Sequence, residues 1–350
     1  MAKAQASIDP EQLEPMEARL VAALPDGEGW QFEPKWDGFR CIALRDGNDV
    51  EIISKSGKSL ARFFPEVVEM LRRPGTRHFV LDGELILPIG DILSFEALQA
   101  RLHPAASRIE RLSRETPARF MLFDCLRAGD DVLFDQPLSA RRTTLEAFYR
   151  HERSPGLLLS PRTSDGQLAR AWLDHSGGAL DGVVAKRLDD RYQPGERAMV
   201  KVKQHRTADC VVGGFRYATS GRHVGSLLLG LYDDKGLLNH VGFTSGIAKD
   251  ERAALTGRLE ALIEPPGFTG KAPGGPSRWS TERSAEWQPL RPELVVEVTY
   301  DQVTGARFRH GTRLNRWRPD KAPRQCRMDQ LRHELRPAEL AEMIDLPAPA

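Results

Sequence analysis

The stretch "EPKWDGFR", residues 33–40, sets Lys35 two residues ahead of Asp37 in a segment that otherwise reads as a strand. Side chains of an extended backbone alternate faces, so Lys35 and Asp37 point the same way. A surface ion pair would do the same and is worth little. The motif is not alone, however. Charges also interrupt apolar strands at Asp82 and Glu84 in "VLDGELIL", Asp124 in "MLFDCL", Asp181 and Lys186 in "LDGVVAKR", and Lys201 and Lys203 in "MVKVKQ". Residues spaced by two share a strand face. Burying such charges unpaired costs several kcal/mol apiece, so they must meet one another or a charged ligand. Converging ammonium groups and carboxylates suit a polyphosphate accompanied by a divalent metal.

The bulk properties are permissive. A chain of 350 residues accommodates one large domain or two ordinary ones, and a net charge of +1 announces no particular partner. The charge is uneven, because between Arg307 and Arg327 eight Lys or Arg side chains face the single acid Asp320. Cys41, Cys125, Cys210 and Cys326 form no CxxC pair, which excludes a zinc ribbon and suggests no disulfide framework. The N-terminal "MAKAQASIDPEQLEPMEARL" has no apolar core of a signal peptide, and no run is apolar enough to span a membrane. A cytoplasmic protein, used at the bacterial nucleoid, is expected.

Along the chain, "CIALRD" and "DVEIISKSG" read as a hairpin turned at Asp46-Gly47-Asn48. "FFPEVVEMLRRPG", "SFEALQARL" and "SARRTTLEAFYRH" read as helices, the last two opened by a serine cap. From about residue 207 short strands and glycine turns take over ("DCVVGGFRYA", "GSLLLGLYDDKGLLNHVGF", "ELVVEVTYDQV"), broken by one helix in "KDERAALTGRLEALI" and a Gly/Pro-rich loop, "PPGFTGKAPGGPSRW". The expected fold is α+β: a mixed domain over residues 1–206, followed by a small β-barrel over 207–350.

In order, "KWDGFR", "LDGEL", "LFDCL", "DGVVAK", "KVK" and "RPDK" resemble the motifs of the covalent nucleotidyltransferases. The chain most resembles ATP-dependent DNA ligases of the short bacterial stand-alone (ligase C) type, related to the ligase module of the bacterial end-joining ligase. The resemblance runs from about residue 14 to about residue 330. It implies an adenylation domain and an OB-fold barrel, ATP with Mg²⁺ or Mn²⁺ as cofactors, and a monomer acting on nicked duplex DNA in repair or end joining. Three steps follow from it: a lysine takes AMP from ATP, AMP passes to the 5′-phosphate at a nick, and the 3′-hydroxyl displaces AMP.

By the same resemblance Lys35 is the nucleophile. An unperturbed lysine is only about 0.1% neutral near pH 7.5, equivalent to roughly 4 kcal/mol of barrier, so its pKa is expected to be lowered by metal and by Lys186, Lys201 and Lys203. Arg40 and Glu84 are expected at the ribose, Phe123 stacked on adenine, and Glu33 at the adenine edge. Lys201 and Lys203 would grip the α-phosphate, with Lys186 beside the phosphates. Glu84 and Asp181 would take the metal, Asp181 standing where the family usually has glutamate. Asp37 is read as orienting the site. Arg318, Asp320 and Lys321 would orient the pyrophosphate when the domains close. Lys55, Arg313 and Arg316 are expected at DNA, Lys55 standing where an arginine is usual, and the arginines of "ARLHPAASRIERLSR" are candidate phosphate contacts. His205, His223 and His310 read as surface residues, and Trp36 as packing. An RNA ligase, a GTP-using capping enzyme and an inactive nucleic-acid-binding barrel share parts of this pattern; an NAD-dependent ligase would carry a four-cysteine zinc site, which is missing here.

Overall fold

The computed structural model describes residues 13–331, except 90–91, 175–179, 204–205, 220, 275–285, 302, 305 and 310. His205, His310 and part of the Gly/Pro-rich loop therefore lie outside the described residues. The chain divides between Gln204 and His205 into two compact units.

The first unit is built on two sheets. One orders Ala18–Leu20, Met199–Val202, Leu180–Arg187 and Trp30–Trp36; the other runs Leu157–Leu159, Arg119–Ala128, His78–Ile86, Phe39–Asp46, Asp49–Ser54. Phe32, Val183, Ala185, Val200 and Val202 pack the outer face of the first sheet against Trp172 and Ala169 of the helix Gly166–Asp174. On the second sheet Cys41, Ala43, Phe79 and Leu81 meet Val67 and Leu71 of the helix Pro65–Arg72, and Leu145 and Phe148 of Leu138–His151. Ile42, Val80 and Leu126 share a further core with Met16, Tyr192 and Met199, which joins the two sheets.

The strand that carries Lys35 ends at Trp36, so Asp37 lies beyond it and not on its face as expected. The chain passes from one sheet to the other at Asp37-Gly38, and a Cβ on Gly38 would stand 2.0 Å from the Leu85 carbonyl oxygen. Only glycine lets the strand turn that close to its neighbour. The hairpin turns as expected, with Asp46 paired to Asp49. Ser94 caps its helix, its Oγ accepting from Ala97 N at 3.1 Å. Ser139 does not: that helix starts at Leu138, with Pro137 before it and no side-chain cap. Proline presets the backbone for a helical start without one.

The second unit is a curled sheet ordered Leu238–Thr244, Val224–Tyr232, Arg206–Tyr217, Val295–Tyr300, Arg313–Trp317. A bridge from Thr244 to Thr312 links its first strand to the residue just before its last and brings the sheet round into a barrel. Val211, Leu227, Leu229, Val296 and Val298 fill it, and the helix Arg252–Glu260 adds Leu259.

Candidate active site

The first unit gathers most of the candidate side chains around one cleft between its sheets. Glu33 and Lys35 reach it from Trp30–Trp36, Lys186 from Leu180–Arg187 and Lys201 from Met199–Val202; Arg40, Glu84, Phe123 and Lys55 reach it from the other sheet and its hairpin. Pro15, Met16, Glu17 and Ala18 form a wall.

Lys35 Nζ meets Asp181 Oδ2 at 2.7 Å, and Lys203 Nζ meets the same oxygen at 2.9 Å. Asp181 and Lys186 are an odd number of residues apart, so a regular strand would set them on opposite faces. A register shift between Leu180 and Val183, with Gly182 at φ +131°, lets Asp181 turn to Lys35 while Lys186 lines the cleft. Burial disfavours the Lys35 charge, but Asp181, Glu84 and Asp37 outweigh burial and raise its pKa above the ordinary lysine value. The lysines by themselves therefore do not produce the expected lowering, because Lys203 spends its charge on Asp181. Burial opposes the Asp181 charge too, yet Lys35 and Lys203 hold its pKa below the usual carboxylate value. Burial pushes Glu84 up to about 7, offset only in part by Lys35 and Arg40. Lys201 is the lysine lowered, by burial first and then by Lys35, Lys203 and Lys55.

Several candidates have protein partners where the resemblance implied ligand. Glu33 Oε2 accepts from Lys186 Nζ at 2.9 Å and Glu33 Oε1 from Gln31 Nε2 at 2.7 Å, all three residues being buried. Arg40 grips Asp82 with Nε and Nη2, both at 2.7 Å, and its guanidinium lies 4.4 Å from the Phe123 ring centroid; Lys186 Nζ lies 4.8 Å from that centroid. Phe123 is thus placed among cations beside the cleft. Lys55 pairs with Glu17 at 2.8 Å. Asp124 leaves the expected constellation altogether: Arg141 holds it at 2.8 and 2.9 Å, both fully or nearly buried, as a structural pair. Trp36 is packing, its Nε1 donating to Ser160 Oγ at 2.9 Å.

Among the described residues no group of three or more His, Cys, Asp or Glu could cage a metal. A divalent ion that arrives on substrate phosphates needs only one or two carboxylates, and Asp181 and Glu84 are two that act on the Lys35 charge.

In the barrel unit the "RPDK" segment is clamped by an acid that sequence reading passed over. Asp209 takes Arg318 Nη1 at 2.8 Å and Lys321 Nζ at 2.7 Å; Arg318 also forks onto Asp320, holding that carboxyl down to about 2. The only signal was an acid inside the apolar run "ADCVVGG". Arg316 is paired with Glu297 at 2.9 Å, whereas Arg313 is exposed. Tyr192 and Glu17 likewise carry no motif in the sequence, and Asp82 stands in one whose spacing gives it no role of its own.

A lysine lodged between two sheets among carboxylates and further lysines, with a barrel unit following, is the build of a covalent nucleotidyltransferase. Residues 15–203 match the family model described as an ATP dependent DNA ligase domain, and residues 220–321 that of an ATP dependent DNA ligase C terminal region. DNA ligase C1 of Mycolicibacterium smegmatis is 45% identical over 91% of this chain and 93% of its own length. The multifunctional non-homologous end joining DNA repair protein LigD of Mycobacterium tuberculosis is 30% identical over 84% of this chain and 37% of its own. A solved Lig E DNA ligase structure superposes with a TM-score of 0.52 at 20% identity, covering 89% of this chain and 100% of that one, a likeness of fold. The chain belongs to the ATP-dependent DNA ligases. Among its described residues no helix is long and apolar enough to cross a membrane.

Proposed function

We propose that Lys35 carries AMP during the sealing of nicks in duplex DNA. The observation that supports this most is the placement of Lys35 Nζ at the cleft, held by Asp181 at 2.7 Å amid Glu84, Lys186 and Lys201. In the first step the Lys35 Nζ–phosphorus bond forms at the α-phosphate, and the bond to the β-phosphate oxygen breaks, so pyrophosphate leaves with the electron pair. Lys35 must shed a proton to attack. Asp181 and Glu84 hold it charged, and they are the residues that would hold the divalent ion. When bound, that ion supplies positive charge that offsets both carboxylates and the phosphate charge. Lys201, with no ion-pair partner among the described residues, is left to meet the α-phosphate. Lys203 joins it once Asp181 releases it. Arg318, Asp320 and Lys321 assist pyrophosphate departure, and Lys55 and Arg313 meet DNA phosphates.

Intact mass after incubation with ATP and Mg²⁺ tests the reading. The chain should gain one AMP, and Lys35→Ala should gain none yet still seal a nick already bearing 5′-AMP. AMP attachment persisting in Lys35→Ala would sink the assignment. Labelling by GTP in place of ATP, or sealing of nicked RNA in place of DNA, would move the chain to a capping enzyme or an RNA ligase.

A further inference from the structure

A closed ring of hydrogen bonds stands behind the cleft wall. Met16 N donates to Tyr192 Oη at 2.9 Å, and Tyr192 Oη donates to Asp82 Oδ2 at 2.6 Å. Arg40 Nη2 donates to the same Asp82 oxygen at 2.7 Å and to Met16 O at 3.2 Å, which brings the ring back to its start. Both backbone polar groups of Met16 are therefore spoken for, by two side chains that meet on one carboxylate. Asp82 is 0%, Met16 3% and Tyr192 5% exposed, so the two bonds of the tyrosine hydroxyl are buried, and those of Arg40 are part-buried. Phe134, with its ring centroid 5.9 Å away, and the Arg141 guanidinium at 5.6 Å hold the tyrosine ring in place.

Neither Asp82 nor Tyr192 lines the cleft, whereas both of the groups they hold do: the segment Pro15–Ala18 and the Arg40 guanidinium. We infer that Tyr192 and Asp82 are positioning residues that dock Pro15–Ala18 as a preformed wall of the nucleotide site and aim Arg40 at its occupant. The inference rests on the reading that this cleft takes ATP. The donors on Arg40 Nε and Nη2 are committed to the ring, so the planar fork is locked and Nη1 is left for a ligand oxygen. A site organised before the ligand arrives avoids the ordering cost of wall and arginine on binding, and that saving appears as affinity for the nucleotide. Burial, with Asp82 next, raises the Tyr192 pKa well above the ordinary tyrosine value, so its hydroxyl stays a donor.

Tyr192→Phe keeps the ring packing and removes one oxygen, leaving the Met16 N–H unpaired and Asp82 short of a donor. The ATP concentration for half-maximal AMP attachment to Lys35 should rise about tenfold, the scale of one buried donor left unsatisfied. The maximal rate of that step should stay within about twofold, because Tyr192 touches no reacting atom. Hydrogen exchange at the Met16 amide should quicken in the variant, while the strand Trp30–Trp36 stays protected. An unchanged ATP requirement would overturn the inference and reduce the ring to core packing. A second measurement needs no variant: in the unmodified chain the Met16 amide should be protected before ATP is added. Protection that appears only with ATP would overturn the preformed wall. Failure of the unmodified chain to accept AMP is a different result, and it overturns the ATP reading itself.

Discussion

Glu33 and Lys186 make the case for weighing single residues by their partners. Each side chain is under 5% exposed, and they meet at 2.9 Å. Removing one partner of such a pair leaves a buried charge, a loss of about 3–5 kcal/mol, whereas replacing both is often nearly neutral. Lys186→Met should therefore lower unfolding stability by about 3 kcal/mol in urea titrations without nucleotide, and Glu33→Gln in the same chain should restore most of it. No restoration would mean that the two residues do not act as a pair. Lys55 is the opposite case, because its side chain is 59% exposed and its bond to Glu17 is worth little. Glu17 still competes with a DNA phosphate for that ammonium. Glu17→Gln should tighten nick binding roughly two- to fivefold at low salt, the reach of a surface pair, and the gain should vanish at high salt. Equal binding by both proteins at low salt would remove Lys55 from the nick.

At the scale of elements, the strands Leu180–Arg187 and Met199–Val202 approach so closely that a Cβ on Gly182 would stand 2.0 Å from the Val202 carbonyl oxygen. Gly182→Ala must part the strands that carry Asp181, Lys186, Lys201 and Lys203. A stability loss of about 1–3 kcal/mol is expected, together with failure of AMP attachment in protein that remains folded; normal attachment would show that the bulge is incidental. In the barrel, the strand Leu238–Thr244 buries His240, whose Nδ1 takes Arg307 Nη2 at 3.2 Å. Burial first, then Arg307 and Arg216, push the imidazole from 6.5 down to about 3. The unfolded chain therefore binds a proton below about pH 6.5 that the folded one refuses, and stability falls as pH drops through that window by about 1.4 kcal/mol per unit. Urea midpoints at pH 7 and pH 5 should differ less in His240→Gln than in the unmodified chain. Parallel acid losses in the two proteins would contradict the buried neutral imidazole.

For the whole molecule, the two units should divide the labour by step. Lys321→Ala should slow AMP attachment by about 10²-fold, the scale for one oriented electrostatic partner. Sealing of a pre-adenylated nick, which releases no pyrophosphate, should stay near that of the unmodified enzyme. If both rates fall together, "RPDK" is a general DNA contact or a structural element. The basic block also sorts itself. Arg316, Arg318, Lys321 and Arg327 each pair with a carboxylate, so the block is weaker than its composition suggests. Each phosphate contact contributes close to one unit to the slope of log affinity against log salt. Arg313→Gln should lower that slope by nearly one unit and Arg316→Gln by much less; the reverse order would mean that the internal pairs open on DNA.

Motif order was enough to identify the class and the succession of a mixed domain and a barrel, and to nominate Lys35, because these depend on residue type and short spacing: a reactive amine, glycines where backbones touch, lysines alternating on a strand. Partner choice was beyond its reach. Asp124 and Asp82 sit alike in apolar strands, yet Arg141 removes one from the site and Arg40 with Tyr192 makes the other its support. Tyr192 and Asp209 meet partners more than a hundred residues away along the chain, in Asp82 and in Arg318 and Lys321. The weight of Asp181 over the neighbouring lysines at Lys35 was beyond motif order for the same reason. Charge attraction and burial depend on distance in space, and a list of lysines and carboxylates does not say which of them stands 2.7 Å away.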